Sequence, residues 1–310
     1  MQNKKISIIK VLAVLFLIGL SFQSYSQRLS VFKVPKFKRD HTLNYLMASG
    51  GIGMSNYFGD LCSDYSCWTF QHSASLGVYW RYNTRFAFRG EFYWSRLTGA
   101  DKKYDNPRKE DPRFGRNASF RTDIFELSVG AMYDIFDFNP NYAKRANFEP
   151  YLHASIGILN FNPMAQYTDG AYYNLREFKT EGKTYSNWAV SFPIGAGCRF
   201  KVTDKLNVGV EIGYRITTTD YLDDVSSFYR KDRGTITDPK EAYFADRGAA
   251  IGVAHNPGDI RGNPANRDGY IVYSLKVEYL LFVTQQLNER GKNINADIDP
   301  RYKKRQIRRR

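Results

Sequence analysis

The chain has 310 residues, of which 43% are hydrophobic, 16% aromatic and 25% charged, with a formal net charge of +14. The charge is not distributed as a nucleic-acid surface requires. Residues 28–42 carry a net +4 and residues 284–310 a net +6, which leaves residues 43–283 at about +1.

Residues 1–27 read as a secretory signal peptide. Lys4 and Lys5 lead an apolar run of roughly fifteen residues, and Ser24 and Ser26 precede Gln27. The run is short and Lys10 interrupts it, which disfavours an anchoring helix. No cysteine stands at the cleavage point, so a lipid anchor is not expected. No later stretch is apolar enough to cross a bilayer as a helix. A closed barrel is then the available spanning structure, because hydrocarbon tolerates no open sheet edge.

Eight later stretches alternate apolar and polar residues, which predicts strands at 43–56, 69–80, 86–95, 119–135, 149–161, 188–202, 206–218 and 269–283. The seventh is the clearest. Leu206, Val208, Val210, Ile212, Tyr214 and Ile216 share one face, and Asn207, Gly209, Glu211, Gly213, Arg215 and Thr217 the other. The connections at 57–68, 81–85, 96–118, 136–148, 162–187, 203–205 and 219–268 alternate long and short. Bacterial outer-membrane barrels place short turns in the periplasm and long loops outside. The expected fold is all-β, an eight-stranded antiparallel transmembrane β-barrel of outer-membrane type over 43–283. Residues 28–42 and 284–310 would then be periplasmic, with both termini on that side of the outer membrane.

Parity assigns the faces. Outward residues include Phe70, Leu76, Val78, Trp80, Phe88, Phe92, Phe192 and Ile194, and aromatic belts are expected at both membrane interfaces: Phe70, Trp94, Trp188, Tyr214 and Tyr273 in one, Trp80, Phe86, Tyr133, Phe200 and Tyr279 in the other. A soluble lipocalin-like barrel would reverse the faces, apolar inside and charged outside. The inward face carries Arg89, Glu91, Glu126, His153, Arg199, Glu211, Arg215, Lys276 and Glu278. These opposite charges are expected to pair across a narrow lumen and plug it, since eight strands leave an interior that side chains just fill. Pro193 cannot donate a ladder hydrogen bond. A bulge is expected there, which would shift the facing of Cys198 and Arg199.

Little in the chain points to chemistry. Cys62 and Cys67 share one loop and either close a small disulfide or stand as free thiols. Cys198 reads as a small packed hydrophobe. His153 and Ser155 form a His-x-Ser pair that resembles that of outer-membrane lipid A deacylases, but they face inward and have no base-orienting partner. His153 is therefore read as a hydrogen-bonded lumen residue. Asp220, Asp223 and Asp224 open the longest loop at a spacing that matches no calcium loop. No catalytic, cofactor or metal residue is assigned. The tail RYKKRQIRRR concentrates Arg301, Lys303, Lys304, Arg305, Arg308, Arg309 and Arg310, a surface for an acidic protein or anionic lipid, or a solvated tail with no fixed partner.

Several segments at strand ends carry a family resemblance: SNYFGDL (Ser55–Leu61), FRTDIFEL (Phe120–Leu127), PYLHASIGILNFNP (Pro150–Pro163), TEG (Thr180–Gly182) and ITTTDYLDDVSSFY (Ile216–Tyr229). In this order they resemble the PorG family of outer-membrane barrels from Bacteroidetes, over about residues 43–283. The resemblance implies a non-enzymatic part of the type IX secretion and gliding machinery that contacts a periplasmic PorK–PorN ring. It assigns no role to the basic tail or to the CSDYSC loop. The alternative is an OmpA- or OmpX-like surface barrel whose outer loops mediate adhesion or ligand binding.

Overall fold

A computed structural model describes residues 45–62, 67–82, 85–101, 115–136 and 146–283. The signal-peptide, N-terminal-segment and basic-tail expectations lie outside these residues.

Eight long strands form the barrel: β1 (Tyr45–Phe58), β2 (Gln71–Arg81), β3 (Phe86–Ala100), β4 (Ser119–Asp134), β5 (Phe148–Phe161), β6 (Trp188–Lys201), β7 (Leu206–Thr217) and β8 (Gly269–Val283). Each pairs antiparallel with its sequence neighbour, and β1 pairs with β8, so the ladder closes on itself. The connections are 59–70, 82–85, 101–118, 135–147, 162–187, 202–205 and 218–268, and they alternate long and short. The strand ends that the four long connections join therefore all lie at one end of the barrel.

The two faces separate as the alternation predicts. Ile52 and Leu76 on the outer wall are each 69% exposed, and Phe88, Phe125, Leu127, Ile158 and Leu275 are exposed beside them. A continuous apolar band around a whole barrel cannot be kept in water. The buried interior holds Arg81, Arg89, Glu91, Glu126, Arg199, Glu211, Lys276 and Glu278. This is the reverse of a lipocalin, and it makes the molecule a transmembrane barrel of outer-membrane type. Aromatic rings meet near both rims. Phe70 lies 6.2 Å from Tyr273 at the long-loop end, and Phe86 lies 5.1 Å from Tyr133 and Phe148 5.2 Å from Phe200 at the other.

Two strand expectations need correction. β3 continues five residues past its predicted end, through Ala100. Beyond the apolar band its outward residues turn polar, with Arg96 bonded to Asp123 at 2.8 Å, while Leu97 stays buried inside. The expected bulge at Pro193 is absent. The β5–β6 register is the same on both sides of the proline, Ala154 pairing with Ile194 and Gly157 with Ser191. The ladder skips the intervening positions instead of slipping, so Arg199 stays inside and Cys198 outside.

Candidate functional site: a filled lumen beneath a bonded loop cap

The lumen charges form layers along the barrel. Near the short turns, Arg199 lies 2.8 Å from Asp134, 3.6 Å from Glu149 and 3.8 Å from Glu278, and Arg81 also pairs with Asp134. The Arg199 guanidinium lies over the Tyr151 ring at 4.5 Å. At mid-barrel, Arg89 bonds Glu211 at 2.9 Å and Lys276 approaches Glu211 at 3.1 Å, and both cations also pair with Glu91. Tyr151 donates to Glu211 at 2.8 Å. Toward the long loops, Arg215 faces Glu126 at 3.9 Å and the Tyr93 ring at 4.4 Å, and Tyr270 donates to Glu126 at 3.0 Å. Each buried charge thus has an opposite charge or a hydroxyl near it, the condition under which burial of ions is tolerated. The void at mid-barrel is about 10 Å³, roughly one water.

All eight candidate lumen residues therefore enter these layers. Arg81, Asp134 and Glu149 belong with them and were not singled out from the sequence. Strict parity carried one residue further along β2 reaches Arg81, but the predicted strand stopped at Trp80. His153 also faces inward, 5% exposed, with Nε2 3.7 Å from Glu211. Neither of its ring nitrogens has a hydrogen-bond partner among the described residues, so the expected hydrogen bond is not made to them. His153 occupies space that glycine leaves: a Cβ at Gly195 would fall 2.6 Å from its Nε2.

Above the charged layers the lumen becomes apolar. Tyr57, Leu97, Phe120, Ile124, Leu159, Phe161 and Val272 pack with Leu61, Cys62, Cys67, Leu222 and Val225 from the loops. Cys62 and Cys67 are disulfide-bonded within this core.

The long loops fold together over it. Glu181 of the TEG segment accepts from the amides of Ser226 and Ser227 at 2.9 and 3.1 Å, from the Ser227 hydroxyl at 2.8 Å, and from Arg261 at 3.0 Å. Asp224 accepts from Thr180 at 2.5 Å and Tyr185 at 2.7 Å. Arg116 is bidentate on Asp101 at 2.9 and 2.7 Å and also donates to the carbonyls of Asp60 and Arg261. Two of the three aspartates weighed for a cation are thus engaged otherwise: Asp223 bonds the Tyr57 hydroxyl at 2.6 Å, and Asp224 is bonded as above. Burial raises Asp224 to about 6, with Arg261 opposing, and raises Asp220 to about 7. At Glu181 burial is outweighed by Arg261 and the serine amides, and the carboxyl sits below its ordinary value. Among the described residues, no three His, Cys, Asp or Glu side chains gather as a metal site would need.

Outside this core, Ala165, Leu175 and Phe244 are buried among Tyr167, Tyr173, Phe178 and Tyr243. They join a short hairpin (164–166 with 172–174) to helix α1 (Pro239–Ala245). The two longest loops thus share a small core of their own.

The sequence profile described as "Domain of unknown function (DUF6089)" matches residues 46–233, more than half of the chain. The chain belongs to the DUF6089 family. The match starts in β1 and ends in the longest loop, so it includes both the TEG segment and the Asp224 segment that docks against it. No curated protein matches the sequence. Among solved structures, this family member is similar to Neisserial surface protein A (12% identity, TM-score 0.38, 77% of this chain and 97% of that one). It is also similar to the attachment invasion locus protein Ail of Yersinia pestis in complex with sucrose octasulfate (11%, TM-score 0.38, 77% and 99%). A third is the outer membrane enzyme PagL (14%, TM-score 0.29, 76% and 99%).

Proposed function

We propose that this DUF6089 barrel is a non-enzymatic outer-membrane component of a type IX secretion and gliding machinery. Its short-turn end and basic termini would lie in the periplasm and contact a ring assembly of the PorK–PorN kind. The observation that supports this reading is the closure of the barrel interior. Four charges at mid-barrel fill the lumen, an apolar layer lies above them, and bonded loops cover that layer. A barrel filled in this way is suited to holding a position in the membrane rather than to passing a solute. The inward histidine is also a poor start for lipid hydrolysis, since neither of its ring nitrogens bonds a hydroxyl among the described residues. What remains for function is surface, and the strongest charge imbalance in the sequence lies in residues 28–42 and 284–310.

Crosslinked pull-down from cell envelopes tests the proposal. The full chain should recover periplasmic ring proteins, and a chain ending at residue 283 should recover far less at equal barrel abundance. Equal recovery would remove the tail from the interface, and no recovery by either would sink the machinery reading.

A second reading has one observation in its favour. Phe228 and Ile260 pair across a short bridge in the longest loop and are 50% and 76% exposed. Such a pair suits a surface barrel that adheres through its outer loops. Loss of surface attachment in a Phe228→Ser/Ile260→Ser variant, with secretion intact, would favour it.

A further inference from the structure

Gly90, on the lipid-facing wall, has no steric reason to be glycine. A Cβ built at Gly90 meets no heavy atom within 4 Å, and its φ is not in the left-handed region. Glycine inside a strand weakens it and leaves nothing to pack. The inward glycines differ, since a Cβ at Gly51, Gly195 or Gly213 would meet a neighbour at 3.0 Å or less.

What the missing side chain leaves is a notch. An open groove of about 590 Å³ runs over Gly90, walled by Leu46, Val78, Val129 and Ala131 and by Trp80 and Phe88. Register sets the notch between two aromatic stacks. Trp80 and Phe88 stack at 5.9 Å on the short-turn side, and Phe92 and Phe125 at 6.4 Å on the other. Tyr82 closes on Trp80 and Phe88 at 5.9 and 6.0 Å. One step further toward the short turns, Arg85 donates to the Tyr133 hydroxyl at 2.8 Å, at the level of the aromatic belt.

We propose that this groove is a binding site for one phospholipid, with an acyl chain lying over Gly90 and the phosphate at Arg85. The wall it interrupts faces hydrocarbon, so acyl chains are what surrounds it. Four residue steps along β3 separate Gly90 from Phe86 at the belt, about 13 Å at the rise of a strand. An acyl chain whose headgroup sits at the belt therefore reaches the notch. Arg85 supplies the positive charge that a phosphate needs there. The stacked rings give rigid walls that a chain can lie against without ordering flexible side chains.

Native mass spectrometry of the full-length protein in detergent, with added phosphatidylglycerol, tests the site. The unaltered protein should retain one lipid at detergent concentrations that strip the rest. Gly90→Phe should cut the retained fraction about tenfold, and Val129→Trp should do the same from the opposite wall. Ile158→Phe, on the lipid face away from the groove, should change nothing. Arg85→Ala should weaken retention of phosphatidylglycerol more than of phosphatidylethanolamine. Compact migration in unheated SDS reports folding, and Gly90→Phe is expected to fold because a β-favouring ring replaces glycine on a lipid-exposed face. Undiminished retention in folded Gly90→Phe and Val129→Trp would overturn the proposal. A barrel dimer that forms with the unaltered protein and is lost in both variants would overturn it too, by making a second copy the occupant.

Discussion

Asp223 and Asp268 hold one hydroxyl between them: Tyr57 Oη lies 2.6 Å from a carboxyl oxygen of each. A phenol carries one proton, so it can donate to only one of them, and the other carboxyl must supply a proton itself. Burial raises both well above the ordinary aspartate value, with Asp60 adding at Asp223 and Asp223 adding at Asp268. The contact ties strand β1 to both ends of the longest loop, and its protonation state bears on whether that loop stays down.

The pH dependence follows from the sign of these shifts. Folded values above the unfolded ones mean that the folded cap binds more protons. The stability these groups contribute is complete below about pH 4. It is lost as the pH rises through about 6 for Asp224 and about 7 for Asp220. Glu181 has the opposite shift, but its contribution changes only at acid pH. Hydrogen exchange over residues 218–268, corrected for intrinsic rates, should be slower at pH 5 than at pH 8. Asp220→Asn should flatten the upper part of that change. Equal protection at both pH values would refute the assignment.

Arg261 is the cation shared by Glu181 and Asp224, and it is buried with them. Arg261→Ala leaves two buried carboxylates without it, a loss of about 3–5 kcal/mol in comparable buried pairs. Limited proteolysis should then cut within 162–187 and 218–268, while the barrel keeps its resistance to SDS because no ladder bond is touched. Cleavage no faster than in the unaltered protein would show that the serine amides suffice.

In the lumen, Arg89→Ala/Lys276→Ala leaves Glu91 and Glu211 facing each other without their cations. The barrel should melt at a clearly lower temperature in detergent. It should still pass no current in planar bilayers, because Leu97, Phe120 and Leu159 close the apolar layer independently. A step conductance from the unaltered protein would falsify the filled-lumen reading outright.

Reduction of Cys62–Cys67 opens a loop of only a few residues, so chain entropy sets the loss at about 2 kcal/mol. Hydrogen exchange should rise in 59–70 and in the Leu222–Val225 contact, with strands β4 to β7 unaffected. A global loss of protection would mean that this loop holds the barrel as well as the cap.

Much of this was legible in the chain because a strand in a two-sided environment must alternate. Leu206–Thr217 wrote both of its faces into the sequence, and Arg89, Glu91 and Glu211 were placed inside by parity alone. Alternation stops reporting the faces where the environment changes along a strand. Alternation predicts β3 to end at Ser95, yet the strand continues to Ala100, with Arg96 on its outward face bonded to Asp123. Arg81 lies one residue past the end that alternation predicts for β2. Pro193 was expected to break parity, and the ladder instead skipped a step.

The cap lies further beyond sequence. Nothing in TEG or DDVSS says that one binds the other, since Glu181 and Ser227 are 46 positions apart and their contact depends on where two strands deliver their loops. The sequence by itself determined the barrel, its faces and the opposite charges of its interior, because period-two burial is local. The tertiary structure alone decided the layering of the ion pairs, the bonded loops, the Tyr57 hydroxyl held between Asp223 and Asp268 and the notch at Gly90. Each of these is set by distances between strands that only closure of the barrel fixes.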